Sequence, residues 1–149
     1  MAAPSDFFRA LEGSAPGTAV DREALLAALA WNTDGLVPAI AQQHDSREVL
    51  MLAWMNEATL RETLETGRVC YWSRSRKRPW RKGEESGHVQ RLVELRVDCD
   101  GDTLLLLVDQ AGPACHTGRA NCFYLTLSKD GGEVRAAVEV DPASVYGRS

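Results

Sequence analysis

The sequence predicts a β-rich α+β fold in a single domain, with mostly antiparallel strands and one or two short helices. Three observations lead there. At 149 residues the chain is one domain's length and long enough to bury a core. Short apolar runs recur between Gly, Asp and Asn turn signals, as strands joined by tight connections do. Only two stretches carry helix-like periodicity, and both are brief.

In chain order, residues 1–20, rich in Ala, Gly, Pro and Ser, read as a loosely ordered arm preceding a domain over 21–149. Asp21 is a candidate N-cap for a helix running to about Ala30. LVPAIAQQ (36–43) and EVLMLAWM (48–55) read as strands, with the polar HDSR (44–47) turning between them. Asn56 caps a second helix, EATLRETLET, which Gly67 stops. VCYWS (69–73) is a further strand. The cationic, Gly-containing SRKRPWRKGEESG that follows reads as loop.

From His88 onward, Val89, Val93, Leu95 and Val97 alternate with polar neighbours, the signature of a half-buried strand whose inward face Cys99 extends. Asp100-Gly101 is a turn dipeptide, and TLLLLV (103–108) is a nearly all-apolar strand. CFYLTLS (122–128) and EVRAAVEV (133–140) complete the set, joined by KDGG.

Composition narrows the function classes. A hydrophobic fraction of 44% and a charged fraction of 26% suit a globular chain. No apolar run approaches the roughly 20 residues that span a bilayer. The N-terminus lacks a basic stretch followed by an apolar one, so no signal peptide is read and a cytoplasmic location is expected. In that reducing setting the four cysteines are candidates for metal ligation, catalysis or plain burial rather than disulfides.

The net charge is −4, but Arg74 to Lys82 (RSRKRPWRK) holds six cations and no acid. Without those six, 11 basic residues face 21 acidic ones, a net of −10. An acidic chain with one basic island suits a pocket for a small phosphorylated ligand better than a groove for a polyanion, which the rest of the surface would repel. Within YWSRSRKRPWRKGEESGH (71–88), Arg forks match phosphate and aromatic faces match bases. Packing alone also accounts for Trp72.

DCDGDTLLLLVDQAGPACHTGRANC (98–122) carries the metal chemistry. Asp98, Asp100 and Asp102 surround a hairpin tip, where oxygen ligands suit Mg²⁺ or Ca²⁺. Taken alone, the triplet reads sooner as a solvated acidic turn than as a site, because Asp and Gly are turn formers. It is not an EF-hand, which needs its Gly two positions later in the loop. Cys99, Cys115 and Cys122 lie 16 and 7 residues apart, unlike the paired knuckles of a zinc ribbon. Three thiolates would leave one tetrahedral position of a zinc ion open to water, the arrangement of a catalytic zinc. Cys99 taken singly reads as a core cysteine. His116 is either a general acid or base beside that centre or an exposed loop histidine.

These segments also carry a family resemblance. DGLVPAIAQ, EVLMLAWMNEATL, TGRVCYWSRSRKRPWRKGEESGHVQ, VDCDGDTLLLLV and GPACHTGRANCF, spread from about Gly35 to Tyr124, are similar to the phosphoribosyl-AMP cyclohydrolases of histidine biosynthesis. The resemblance implies a homodimeric, zinc- and magnesium-dependent hydrolase that opens the adenine ring of 1-(5-phosphoribosyl)-AMP at the N1–C6 bond. It implies Cys99, Cys115 and Cys122 as zinc ligands contributed by both subunits at their interface, and Asp98, Asp100 and Asp102 as magnesium ligands. It further implies His116 as the proton-transfer residue, and Trp72, Ser73, Arg74, Arg76, Lys82 and His88 as the lining of the substrate pocket. A nucleotide substrate is expected, with no nucleic-acid or membrane partner. The chain ends soon after its last expected strand, which leads to the expectation of a single activity without the pyrophosphohydrolase domain fused in some members.

Two other readings stand beside this one. A zinc-stabilised RNA-binding module would use the cysteines structurally and the basic loop on a backbone. A nucleobase deaminase also activates water against a purine C6, but its H-x-E and P-C-x-x-C signature is absent.

Overall fold

A six-stranded mixed sheet organises the molecule, with strand order β4-β3-β2-β1-β6-β5. The computed structural model describes residues 4–145. Its strands are β1 (Val37–Gln43), β2 (Val49–Met55), β3 (Cys70–Ser73), β4 (Arg78–Arg81), β5 (Gln90–Val97) and β6 (Leu104–Gln110). A separate two-stranded ribbon pairs β7 (Leu125–Ser128) with β8 (Gly131–Val134). The helices are α1 (Pro4–Leu11), α2 (Arg22–Ala28), α3 (Glu57–Thr66) and α4 (Pro142–Val145). None of the helices described is long and apolar enough to cross a membrane.

The α+β, strand-rich expectation holds, and its local signals explain the elements. Asp21 caps α2 by accepting from the Ala24 N–H at 2.9 Å. Asn56 and Thr59 close a reciprocal capping box on α3, and Gly67, at φ +73°, ends that helix. The HDSR turn joins β1 to β2 in an antiparallel pair. All sheet neighbours are antiparallel except β1 and β6, which run parallel with Ala39 opposite Leu104 and Gln43 opposite Val108.

One face of the sheet forms the core. Val37, Ala39, Ala41, Met51, Met55, Tyr71, Leu104, Leu106 and Val108 pack there with Leu26 of α2 and Leu60 of α3. The sheet curls around this core until its β5 edge returns to the start of β3: Val69 N–H donates to the Gln90 carbonyl at 3.0 Å, and Leu92 N–H to Gly67 at 2.8 Å. A buried chain closes the interior, in which Tyr71 OH donates to Gln90 Oε1 at 2.7 Å.

Several expectations need correction. The strand from His88 does not alternate strictly, because a β-bulge between Leu92 and Glu94 shifts its register. Leu92, Leu95 and Val97 pack against the core, whereas Val93 is turned out and 55% exposed. Cys99 does not continue the buried face; β5 ends at Val97, and Cys99 is exposed in the following turn. The basic loop contains a strand, β4, pairing with β3 from Cys70↔Arg81 to Ser73↔Arg78. The N-terminal stretch read as an arm includes α1, whose Phe8 is buried at 7% exposure in the core cluster. The last two strands are shorter than expected and form their own ribbon.

Candidate active site

The acidic turn hangs from the end of β5 and is tightly built. Asp98 N–H donates to the Thr103 carbonyl at 3.1 Å, Gly101 N–H to the Asp98 carbonyl at 3.2 Å, and Asp102 N–H to Asp98 Oδ1 at 3.0 Å. Ala30 N–H grips the Gly101 carbonyl at 2.8 Å, tying the turn to the segment after α2. Asp98, Asp100 and Asp102 are all exposed and place carboxylate oxygens within 4.8 Å of one another, the one such group of three potential ligands among the described residues. Hydrogen bonding with Asp98 and Asp100, reinforced by their charges, pushes Asp102 up to about 6. Burial works against the charge of Asp98 too, but hydrogen bonds from Asp102 and the turn backbone outweigh it and hold that carboxyl low. A carboxyl whose neighbours raise its affinity for a proton marks a cluster short of positive charge. Such a donor set fits a hard divalent cation.

The other cysteines lie elsewhere. After β6 the chain folds back in a compact loop in which Ala114 N–H donates to the Ala120 carbonyl and Cys115 N–H to Arg119, both at 3.1 Å. Cys122 N–H donates to the Leu50 carbonyl at 2.8 Å, fixing the loop to the start of β2. This brings the Cys115 and Cys122 thiols close enough to influence each other's charge. Thr117 Oγ1 donates to Cys115 Sγ at 3.1 Å. Desolvation and the neighbouring Cys115 push the Cys122 thiol up to about 12, which disfavours its thiolate in the absence of a nearby cation. Two adjacent thiols of this kind fit a soft metal such as zinc.

Cys99 does not join them. Its turn precedes Leu104, at one end of β6, while Cys115 and Cys122 lie beyond Gln110 and beside Leu50, at the other end. Seven strand residues separate those ends by about 20 Å at 3.3 Å per residue. Within one chain the three thiols therefore divide two and one. Cys70 is also apart: fully buried on β3, its thiol is pushed up to about 11, chiefly by burial.

A cleft of about 730 Å³ opens beside the cysteine pair. Ser73, Arg76, Arg78, Trp80, Lys82 and His116 line it, together with Ser75, Glu85, Ser86 and Pro142. Trp72 and Arg74 face a second, more open depression of about 610 Å³ shared with Leu52 and Trp54, where the Arg74 guanidinium sits 4.6 Å above the Trp54 ring. Trp80 and Ser73 border both. His88 borders neither depression; its ring packs on Gly112, and its carbonyl accepts from Gln110 Nε2 at 3.0 Å. The structure thus gathers Ser73, Arg76, Lys82 and His116 in one cleft, sets Trp72 and Arg74 in the neighbouring depression, and leaves His88 outside both.

A family model described as phosphoribosyl-AMP cyclohydrolase matches residues 51–124. A protein of that name from Alkalilimnicola ehrlichii is 69% identical over 141 residues, covering 95% of this chain and 99% of the relative. Its namesake from Chromohalobacter salexigens is 64% identical over 140 residues, covering 94% and 96%. The chain belongs to the phosphoribosyl-AMP cyclohydrolase family.

A further phosphoribosyl-AMP cyclohydrolase, from Acidiphilium cryptum, is 66% identical over 107 residues, which are 72% of this chain and 92% of the relative. Against this family setting, two features, one in the cleft and one on the cysteine loop, escape sequence reading. Arg78 and Trp80 stand on β4, a strand concealed in a cationic segment, and only its pairing with β3 shows that they share a wall. Thr117 reads as an ordinary turn residue until its hydroxyl is found on a thiol.

Proposed function

We propose that this chain acts as a zinc- and magnesium-dependent phosphoribosyl-AMP cyclohydrolase, hydrolysing the N1–C6 bond of 1-(5-phosphoribosyl)-AMP in histidine biosynthesis in the cytoplasm. The observation that carries the proposal is the likeness over 95% of the chain to a protein of that name. The cleft gives it chemical substance, since cations, an aromatic face and a histidine meet there beside two thiols.

Ribose at N1 makes the adenine ring cationic and its C6 electrophilic. Zinc held by the cysteine thiolates would supply a water acidified to a pKa of roughly 7 for attack at that carbon. The oxygen of water bonds to C6, the C6–N1 bond breaks, and a proton passes to N1 as the carboxamide forms. His116, exposed on the cleft wall next to Cys115, is positioned to carry that proton. Arg76 and Arg78 present exposed guanidinium groups to substrate phosphates, and Trp80 offers a face for the purine.

The division of the thiols supports a homodimer. A two-fold partner laid in the opposite sense would bring its own Cys99 turn to the Cys115–Cys122 pair and complete two identical centres, with Asp98, Asp100 and Asp102 arriving beside them as magnesium ligands. Apolar side chains left in water agree with a second copy: Leu127 of β7 is 90% exposed, and Leu52 of β2 is 46% exposed.

The direct test supplies purified protein with zinc and magnesium and follows the absorbance change as phosphoribosyl-AMP opens. Turnover is expected, and Cys115→Ala should abolish it while lowering zinc content. A folded, metal-replete protein without turnover would overturn the assignment and return attention to an RNA-binding role.

A further inference from the structure

Five of the six cations between Arg74 and Lys82 are exposed, but Lys82 is only 5% exposed. It follows Arg81 at the end of β4, with its ammonium 5.5 Å from the centre of the Trp80 ring. Its Nζ donates to the Ala114 carbonyl at 2.6 Å, immediately before Cys115. An ammonium has three donors, and a buried one needs an anion. No carboxylate forms an ion pair with Lys82 among the described residues. The ionisable groups whose charge would reach it are the thiols of Cys122 and Cys115.

We propose that Lys82 is a positioning residue for the cysteine pair, balancing its negative charge and setting how tightly it holds zinc, instead of gripping a substrate phosphate. This rests on the zinc reading above. Two thiolates neutralise a divalent ion, and a third leaves the centre with one excess negative charge. One buried ammonium beside it restores neutrality where solvent cannot. The hydrogen bond to Ala114 also holds the loop that presents Cys115, so charge and geometry act on the same ligand. For substrate phosphates, Arg76 and Arg78 already stand exposed in the cleft, whereas Lys82 is buried against the loop that carries Cys115.

The test measures zinc affinity of the full-length protein by competition with a chromophoric chelator, alongside thermal unfolding of the metal-free form. Lys82→Gln retains a donor for the Ala114 carbonyl and removes the charge. Zinc binding should weaken about 10- to 100-fold, as losses of outer-shell partners do, with no loss of metal-free stability. Lys82→Arg, which keeps the charge, should retain most of the affinity. If Lys82→Gln does not fold, Lys82→Met takes its place in the same comparison. Unchanged zinc affinity in the neutral variant, with a raised KM, would assign Lys82 to the substrate and overturn the proposal. Equal losses in the Arg and Gln variants would make its role steric and also overturn it. If the wild-type protein and Cys115→Ala bind zinc equally poorly, the zinc reading itself fails, a result distinct from either.

Discussion

Gly101 shows how a single position constrains the acidic turn. Its φ of +75° lies where side chains are strained, and a Cβ there would sit 2.2 Å from Phe8 Cε2. The Phe8 ring thus lies directly on the turn backbone, joining α1 to the carboxylate cluster. Gly101→Ala should cost about 1–3 kcal/mol from backbone strain and the clash. Phe8→Ala should cost about 3 kcal/mol as a cavity-forming loss of a buried aromatic. Because the two residues touch, the double variant should lose less than the sum, since removing the ring relieves the clash. Urea unfolding of the metal-free protein measures all three, and strict additivity would show that the contact does not couple them. The dipeptide Asp100-Gly101 was legible as a turn, but nothing in the sequence tells that a phenylalanine some 90 residues earlier presses on it.

Among the elements, legibility followed locality. The capping box at Asn56 and the stop at Gly67 act within one helix, so the sequence contains the whole argument for α3. The bulge in β5 is different. Val93 fits an inward period-2 pattern, and only the register against β6 shows that a residue has been inserted. Pro79 and the surrounding cations conceal β4, an edge strand where a missing N–H is tolerated. That strand is fastened to α3 by Arg81, whose Nε and Nη2 reach the Glu62 carboxylate at 2.6 and 2.9 Å. Hydrogen bonding from Arg81 holds the Glu62 carboxyl below its ordinary value near 4.5. A depressed carboxylate contributes stability that is present above the unfolded value and is lost as pH falls through the folded one. The Glu62→Gln variant should therefore be less stable than wild type near neutrality and converge with it in acid. Thermal unfolding between about pH 3 and 7 tests this, and a constant gap would remove the ion pair from the explanation.

At the scale of the whole molecule, the site residues were legible as chemical types but not as neighbours. Local pattern favoured a solvated turn for Asp98, Asp100 and Asp102; family resemblance suggested ligands instead, and their clustered oxygens fit that role. Spacing made the three cysteines look like one set, whereas the fold gives two to one end of β6 and one to the other. Pairing of β1 with β6 joins segments more than 60 residues apart, and no short-range signal announces it.

That separation has a genetic consequence. On the proposed two-fold arrangement, a chain bearing Cys99→Ser and a chain bearing Cys115→Ser should each be inactive as the sole species, since every proposed centre would lack a ligand. In a mixed pair, one centre combines the intact Cys99 of one chain with the intact Cys115 and Cys122 of the other, while its twin carries both lesions. Refolding equal amounts of the two dead variants together should give mixed pairs in about half of the dimers and restore roughly a quarter of wild-type activity per chain. Mixtures that remain inactive, although mixed dimers form, would place all three cysteines in separate roles. Two defective genes would then fail to do what the proposed arrangement allows, which is to supply one working copy between them.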